Sequence, residues 1–173
     1  MIGNDVYREY VEQYRLLHES GVGAFSGRSL LQYAWHVKEM CLTHQSKSIL
    51  DYGCGLGEQY TRFQLQNWWG IMPTLYDPGV AALSKRPEGV FDGVIVSDVM
   101  EHIPEGALDI VINDIVNYAK QWVFFSICCR PANRILPNGQ NAHITVMPKE
   151  WWLWKLKRPV KDHGLEFRVE WSA

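Results

Sequence analysis

Apolar positions recur at helical spacing from Asn4 to Ser20, where Val6, Tyr10, Val11, Tyr14, Leu17 and His18 fall along one face. The glycine-rich stretch from Gly21 to Gly27 breaks that pattern. A second amphipathic run follows over residues 28–43, with Leu31, Ala34, Trp35, Lys38 and Met40 on its stripe. From Ser48 the pattern changes to short apolar runs that alternate with helical ones. Strands are predicted at residues 48–52, 73–77, 91–97, 122–127 and 165–171, and helices over 58–68, 108–120 and 148–157. The runs at 91–97 and 122–127 are apolar enough for strands covered on both faces. Strand and helix in alternation predict an α/β domain, a mostly parallel sheet with helices on both sides. No repeat or linker interrupts it, so residues 1–173 form a single domain, with an N-terminal helical cap at 1–47 and the α/β core at 48–173.

Composition narrows the picture only in places. With 47% apolar and 21% charged residues, the chain has enough material for a core and is not of the disordered class. A net charge of −2 without a dense basic run argues against a nucleic-acid partner. No apolar signal core follows Met1 and no stretch approaches membrane-spanning length, so a cytoplasmic protein without a membrane partner is expected. Cys41, Cys54, Cys128 and Cys129 fit neither a disulfide framework nor a paired zinc pattern; free thiols and no metal are expected. The many aromatics serve either a core or a pocket for a flat ligand. Trp151, Trp152 and Trp154 cannot share one helix face, so at least one packs inside and one is exposed.

Candidate chemistry concentrates at the predicted carboxyl ends of the strands. Asp51-Tyr52-Gly53-Cys54-Gly55-Leu56-Gly57 places glycines at alternate positions directly after a buried strand, which lets a ligand approach the backbone and the next helix's N–H groups. Glu58 stands where a dinucleotide fingerprint wants its last glycine, and no Lys follows for a P-loop. Asp77 ends the second strand, where a carboxylate can accept both hydroxyls of a ribose. Phe91 to Pro104 ends a buried strand in Ser97-Asp98, and Asp98, Glu101 and His102 then lie beside the glycine turn.

These segments resemble class I S-adenosylmethionine-dependent methyltransferases of the branch acting mostly on small molecules. ILDYGCGLG resembles the family's first motif, LYD its acidic second-strand end, and FDGVIVSDVMEHIP its fourth-strand segment, together covering about residues 48–127. The resemblance implies a three-layer Rossmann-like sheet and S-adenosyl-L-methionine as cofactor, with S-adenosyl-L-homocysteine as product. It implies that Asp51, Gly53, Cys54, Gly55 and Gly57 surround the methionine part, that Asp77 and Pro78 take the ribose and adenine side, and that Ser97, Asp98 and Val99 line the sulfonium. His102 and His143 are the candidate general bases, Phe25, Tyr33 and Trp35 candidates for a lid, and a small molecule the expected substrate. Two departures stand out. Residues 78–90 are too few for the usual helix and edge strand, and the chain leaves little room for the family's last antiparallel strand, so exposed edges are expected that a homodimer partner could cover. A cofactor-binding subunit without activity and a nucleic-acid methyltransferase are the alternatives, the latter weakened by the absent Asp/Asn-Pro-Pro-aromatic signature at residues 97–100.

Overall fold

Strand parity builds the core. Side chains alternate across a strand, so Leu50 and Tyr52 face one side of the first strand while Ile49 and Asp51 face the other. Val94 and Val96 oppose Ile95, and Val123, Phe125 and Ile127 oppose Trp122 and Phe124 in the same way. Two separate apolar layers result, one on each face of the sheet. Phe124 and Phe125, fully buried on opposite faces, each contribute roughly 1.5–3 kcal/mol of burial free energy.

The computed structural model describes residues 5–21 and 25–172. Its strands are β1 (Ile49–Tyr52), β2 (Thr74–Tyr76), β3 (Phe91–Ser97), β4 (Ala119–Cys128) and β5 (Glu166–Ser172). They form one open sheet in the order β2-β1-β3-β4-β5, with every pairing parallel. The helices are α1 (Asp5–Glu19), α2 (Ala34–Thr43), α3 (Glu58–Thr61), α4 (Gln66–Trp69), α5 (Leu108–Tyr118) and α6 (Lys149–Asp162). The layer formed by α5 and α6 holds Trp152 and Leu156 on one face; α2, α3 and α4 cover the other. The protein is thus an α/β fold with a five-stranded parallel sheet between helices.

Several expectations are corrected. The sheet is parallel throughout rather than mostly so. As expected, residues 78–90 hold only the 3-10 turn Ala81–Leu83 and no strand, and the isolated bridge Ile135–Asn141 is the antiparallel pairing found among the described residues. The edges this leaves are a three-residue β2 and a β5 carrying Glu166, Arg168 and Glu170, so neither offers a long apolar ladder. Residues 28–43 begin as a 3-10 helix, Arg28–Tyr33, before α2. Its tighter winding resets the phase: Leu30, Tyr33 and Val37 face the core, whereas Trp35 is 63% exposed over Lys38. The helix predicted over 58–68 is split into α3 and α4 near Gln64, whose φ is 50°. In α1 it is Tyr7 that is buried and Val6 that is exposed. Asn4 and the Val22, Gly23 and Ala24 part of the predicted break lie outside the described residues. The tryptophans divide as expected, with Trp152 buried, Trp154 exposed and Trp151 half-buried.

Among the described residues, no helix is long and apolar enough to cross a membrane.

Candidate functional site

The chain reverses its direction of travel across the sheet between β1 and β3, since β2 lies on one side of β1 and β3 on the other. In open α/β sheets the ligand crevice forms there, beyond the carboxyl ends of the strands. A cavity of about 710 Å³ occupies that place. The end of each strand reaches it, through Tyr52, Asp77, Ser97, Cys128 and Ser172. Helix α1 forms a wall with Tyr7, Tyr10 and Tyr14. The volume lies within the usual range of small-molecule sites, roughly 300–1,000 Å³.

Of the residues singled out in the sequence, Gly53, Gly55, Asp77, Pro78, Ser97, Asp98, Val99, His102 and His143 converge on this cavity. Asp51, Cys54 and Gly57 do not. Asp51 belongs to the opposite face of β1 and is 1% exposed. Its Oδ2 accepts the Tyr60 hydroxyl at 2.7 Å and the Gln59 amide at 3.0 Å. Burial pushes its carboxyl up to about 6, with those two hydrogen bonds opposing. Asp51 therefore fastens α3 beneath the turn and cannot reach a ligand in the cavity. The buried Cys54 thiol lies 3.5 Å from the Gly55 carbonyl, and Gly57 precedes α3 with φ 71°.

The glycine turn is closed by the chain itself. Gly53 has φ 80°, and a Cβ there would stand 2.4 Å from Val99 Cγ2. At Gly55, with φ 58°, a Cβ would stand 2.5 Å from the Phe25 carbonyl oxygen. The Leu56 and Glu58 N–H groups donate to the carbonyls of Phe25 and Ser26, both at 3.0 Å. The expectation that the following helix offers its N–H groups to a ligand is thus corrected: Ser26 takes the first of them, and α3 has only four residues. Asp77 completes the turn by accepting the Gly55 N–H on Oδ2 and the Gly79 N–H on Oδ1, each at 2.8 Å. Each carboxylate oxygen has a second acceptor position, and the residue is half-buried in the cavity wall, so two further hydroxyl donors fit. Burial raises its pKa, with the Gly79 and Gly55 N–H groups and His18 opposing.

At the end of β3 the backbone is strained. Asp98 has φ 51°, an unusual value for a residue with a side chain, which stores on the order of 1 kcal/mol and often marks a working position. Ser126 holds it there: its carbonyl accepts the Asp98 N–H at 2.9 Å, and its hydroxyl donates to Asp98 Oδ1 at 2.8 Å.

Beyond Asp98 the polar groups are incompletely paired. Glu101 is fully buried, and its Oε1 accepts the Cys128 N–H at 2.8 Å, while Oε2 has no partner. Burial, reinforced by the charge of Asp98, pushes its carboxyl well above the usual range. His102 donates from Nδ1 to the Ala142 carbonyl at 2.8 Å. Burial first, and then His143, drive its pKa down to about 3. So weak a base is ill matched to proton abstraction near neutral pH, against the expectation that it serves as general base. His143 places Nδ1 2.5 Å from the Arg130 carbonyl, and its ring meets that of His102 edge to face at 4.9 Å.

Sequence reasoning missed the arginines. Arg28, Arg130 and Arg134 all line the cavity, Arg134 stacked 4.6 Å from the Phe25 ring centroid. Arg130 and Arg134 come from an aperiodic loop and Arg28 from the very start of a predicted helix, so nothing in the sequence pattern tied them to the site. Of the lid candidates, only Phe25 reaches the cavity; Tyr33 packs on Phe124 in the opposite layer. Comparison with known proteins finds no matching family model, no matching curated protein and no matching solved structure.

Proposed function

We propose that the cavity binds S-adenosyl-L-methionine and transfers its methyl group to a small-molecule acceptor. One observation carries the reading. The glycine turn, the Asp77 carboxylate and the Ser97–Val99 strand end, which the sequence singles out separately, line a single cavity at the switch point of the sheet. In this reading Asp77 accepts the ribose hydroxyls on its spare lone pairs, and Pro78 borders the adenine. The methionine part lies against Gly53 and Gly55, and its carboxylate finds a cation in Arg28. Asp98 faces the sulfonium with a matching negative charge.

The reaction itself asks little of the protein. An acceptor lone pair attacks the methyl carbon in line, the carbon–sulfur bond breaks, and its electrons return to sulfur as a neutral thioether. The acceptor's proton, where it has one to lose, goes to solvent or to a nearby base. Holding the two reactants in contact is worth up to about 7–11 kcal/mol in favourable geometry. Arg130 and Arg134 favour an acceptor that carries negative charge.

Calorimetric titration of the full chain with S-adenosylmethionine and with S-adenosylhomocysteine tests this. Saturable binding of both, and label passing from methyl-labelled cofactor to a compound in a small-molecule extract, is the expected result. Absence of heat and of thermal stabilisation with either compound overturns it. Binding without any label transfer would leave a cofactor-binding subunit, and the transferase reading would fall.

A further inference from the structure

We propose that Glu101, His102 and His143 bind one divalent first-row transition cation at the side of the cavity, where the two histidines line the wall and Glu101 is fully buried, through two imidazole nitrogens and one carboxylate oxygen. The three residues each bring a potential ligand atom within 4.8 Å of the others. Nearness alone would carry little. The decisive features are how the remaining atoms of these side chains are used.

Metal-binding histidines typically donate their other ring N–H to a carbonyl or carboxylate, which fixes the tautomer and aims the free lone pair. Both imidazoles are set this way. His102 Nδ1 is held by the Ala142 carbonyl at 2.8 Å and His143 Nδ1 by the Arg130 carbonyl at 2.5 Å, so each keeps Nε2 as an acceptor without a proton. Glu101 supplies the complementary demand. One of its oxygens is satisfied by the Cys128 N–H; the other is buried with no partner. A buried carboxylate oxygen in that state needs either a proton or a cation.

The backbone holds the pieces together. The segment after the Arg130–Ala142 loop docks on the Glu101 turn, with the Thr145 N–H donating to the Glu101 carbonyl at 2.9 Å and the Thr145 hydroxyl to the Ile103 carbonyl at 2.7 Å. Around an ion with bonds of about 2.0–2.2 Å, tetrahedral ligand atoms lie roughly 3.3–3.6 Å apart. The cluster must therefore draw in by about 1 Å at its widest, and half-exposed His143 is the member free to move. Three protein ligands leave coordination positions open, as in sites that act on a bound molecule rather than staple a fold. The mixture of imidazole and carboxylate suits zinc, manganese, cobalt or iron(II) better than magnesium or calcium. Under the methyl-transfer reading, an open position would take an acceptor oxygen and lower its pKa; that use rests on the reading, whereas the metal site does not.

The test uses chelator-stripped full chain, titrated with zinc chloride and with manganese chloride in the absence of any other ligand. Metal content after dialysis and the visible spectrum of the cobalt-substituted protein serve as further readouts. Expected are one ion per chain and a weakening of at least about 100-fold in His143→Ala and in Glu101→Gln. His163→Ala, at the end of α6, should bind like the parent. Should Glu101→Gln fail to fold, His143→Ala decides by itself, since His143 is half-exposed and outside the core. Substoichiometric uptake of both cations, or binding that survives His143→Ala, overturns the proposal. Titration of the metal-free protein with S-adenosylhomocysteine is read separately, so a failed metal site and a failed cofactor site remain distinguishable.

Discussion

Two polar regions lie side by side at the carboxyl end of the sheet, and they are built on opposite terms. In the glycine turn the charged and backbone groups are answered from within the chain: Asp77 by two N–H groups, the N–H groups of Leu56 and Glu58 by Phe25 and Ser26, and Asp51 by Tyr60 and Gln59. Around Glu101 a charged group is left over: one carboxylate oxygen is buried without a partner, beside two imidazoles whose Nδ1 atoms are held by carbonyls. A satisfied polar network rigidifies the fold, whereas a buried carboxylate oxygen without a partner is costly and marks a place where a proton or an ion can be held. The turn is thus the frame of the cavity, and the Glu101 end, where His102 and His143 line the wall, is where its chemistry lies.

The largest test of that contrast is Gly55→Ala. It forces a side chain into φ 58° and drives a Cβ to 2.5 Å from a backbone oxygen that cannot swing away. A loss of about 3–4 kcal/mol in urea unfolding is expected. A loss below about 1 kcal/mol would mean the Phe25–Gly27 segment is not seated on the turn.

Next comes the pH dependence of Asp51. Its folded pKa of about 6 lies above the ordinary value of 3.8, so the native state holds that proton more tightly than the unfolded chain does. The associated stabilisation is complete below about pH 4 and is lost as pH rises through 6, roughly 3 kcal/mol in all. Asp51→Asn cannot ionise and escapes the loss. Between about pH 4 and pH 7.5 its stability should rise relative to the parent by that order, measured by paired denaturant titrations. Parallel pH profiles would remove the claim that the carboxylate is sealed beneath the turn.

Asp77→Ala should have a smaller effect on stability, about 2 kcal/mol, because the freed N–H groups of Gly55 and Gly79 can be reached by water from the cavity. The same variant should weaken S-adenosylhomocysteine at least about tenfold if Asp77 also holds the ribose. Weakened ligand with undisturbed stability would show that Asp77 serves the ligand and not the turn.

The sequence made the architecture plain where apolar runs decide it and obscure where they do not. The dense apolar runs within β3 and β4 announced buried strands, and the strand–helix alternation announced a parallel sheet. The same parity already separates Asp51 from the cavity, since it shares a face with Ile49, although the motif drew attention to it as a ligand contact. The break at Gln64 and the 3-10 start at Arg28 had no hydrophobic signature, because both depend on local backbone geometry rather than on periodicity. The meeting of His102 with His143 was hidden for another reason. It depends on an aperiodic loop folding back on Tyr14, Glu101 and Ile103 through hydrogen bonds that no spacing rule encodes.

The smallest predicted effect bears on that loop. The Tyr14 hydroxyl donates to the Ala142 carbonyl at 2.6 Å, and the same oxygen accepts His102 Nδ1. Tyr14→Phe removes one of two donors and keeps the ring against Phe25 and His102. Since the carbonyl stays paired, the loss should be only about 1 kcal/mol, and metal affinity should change by less than about threefold. The second readout is the sharper one. If His102 is aimed by the Ala142 carbonyl alone, the tyrosine hydroxyl is dispensable to it; a drop of about tenfold or more would mean that α1 orients the imidazole. In that event the boundary between frame and chemistry would run through Tyr14, and the N-terminal helix would belong to the site rather than to its wall.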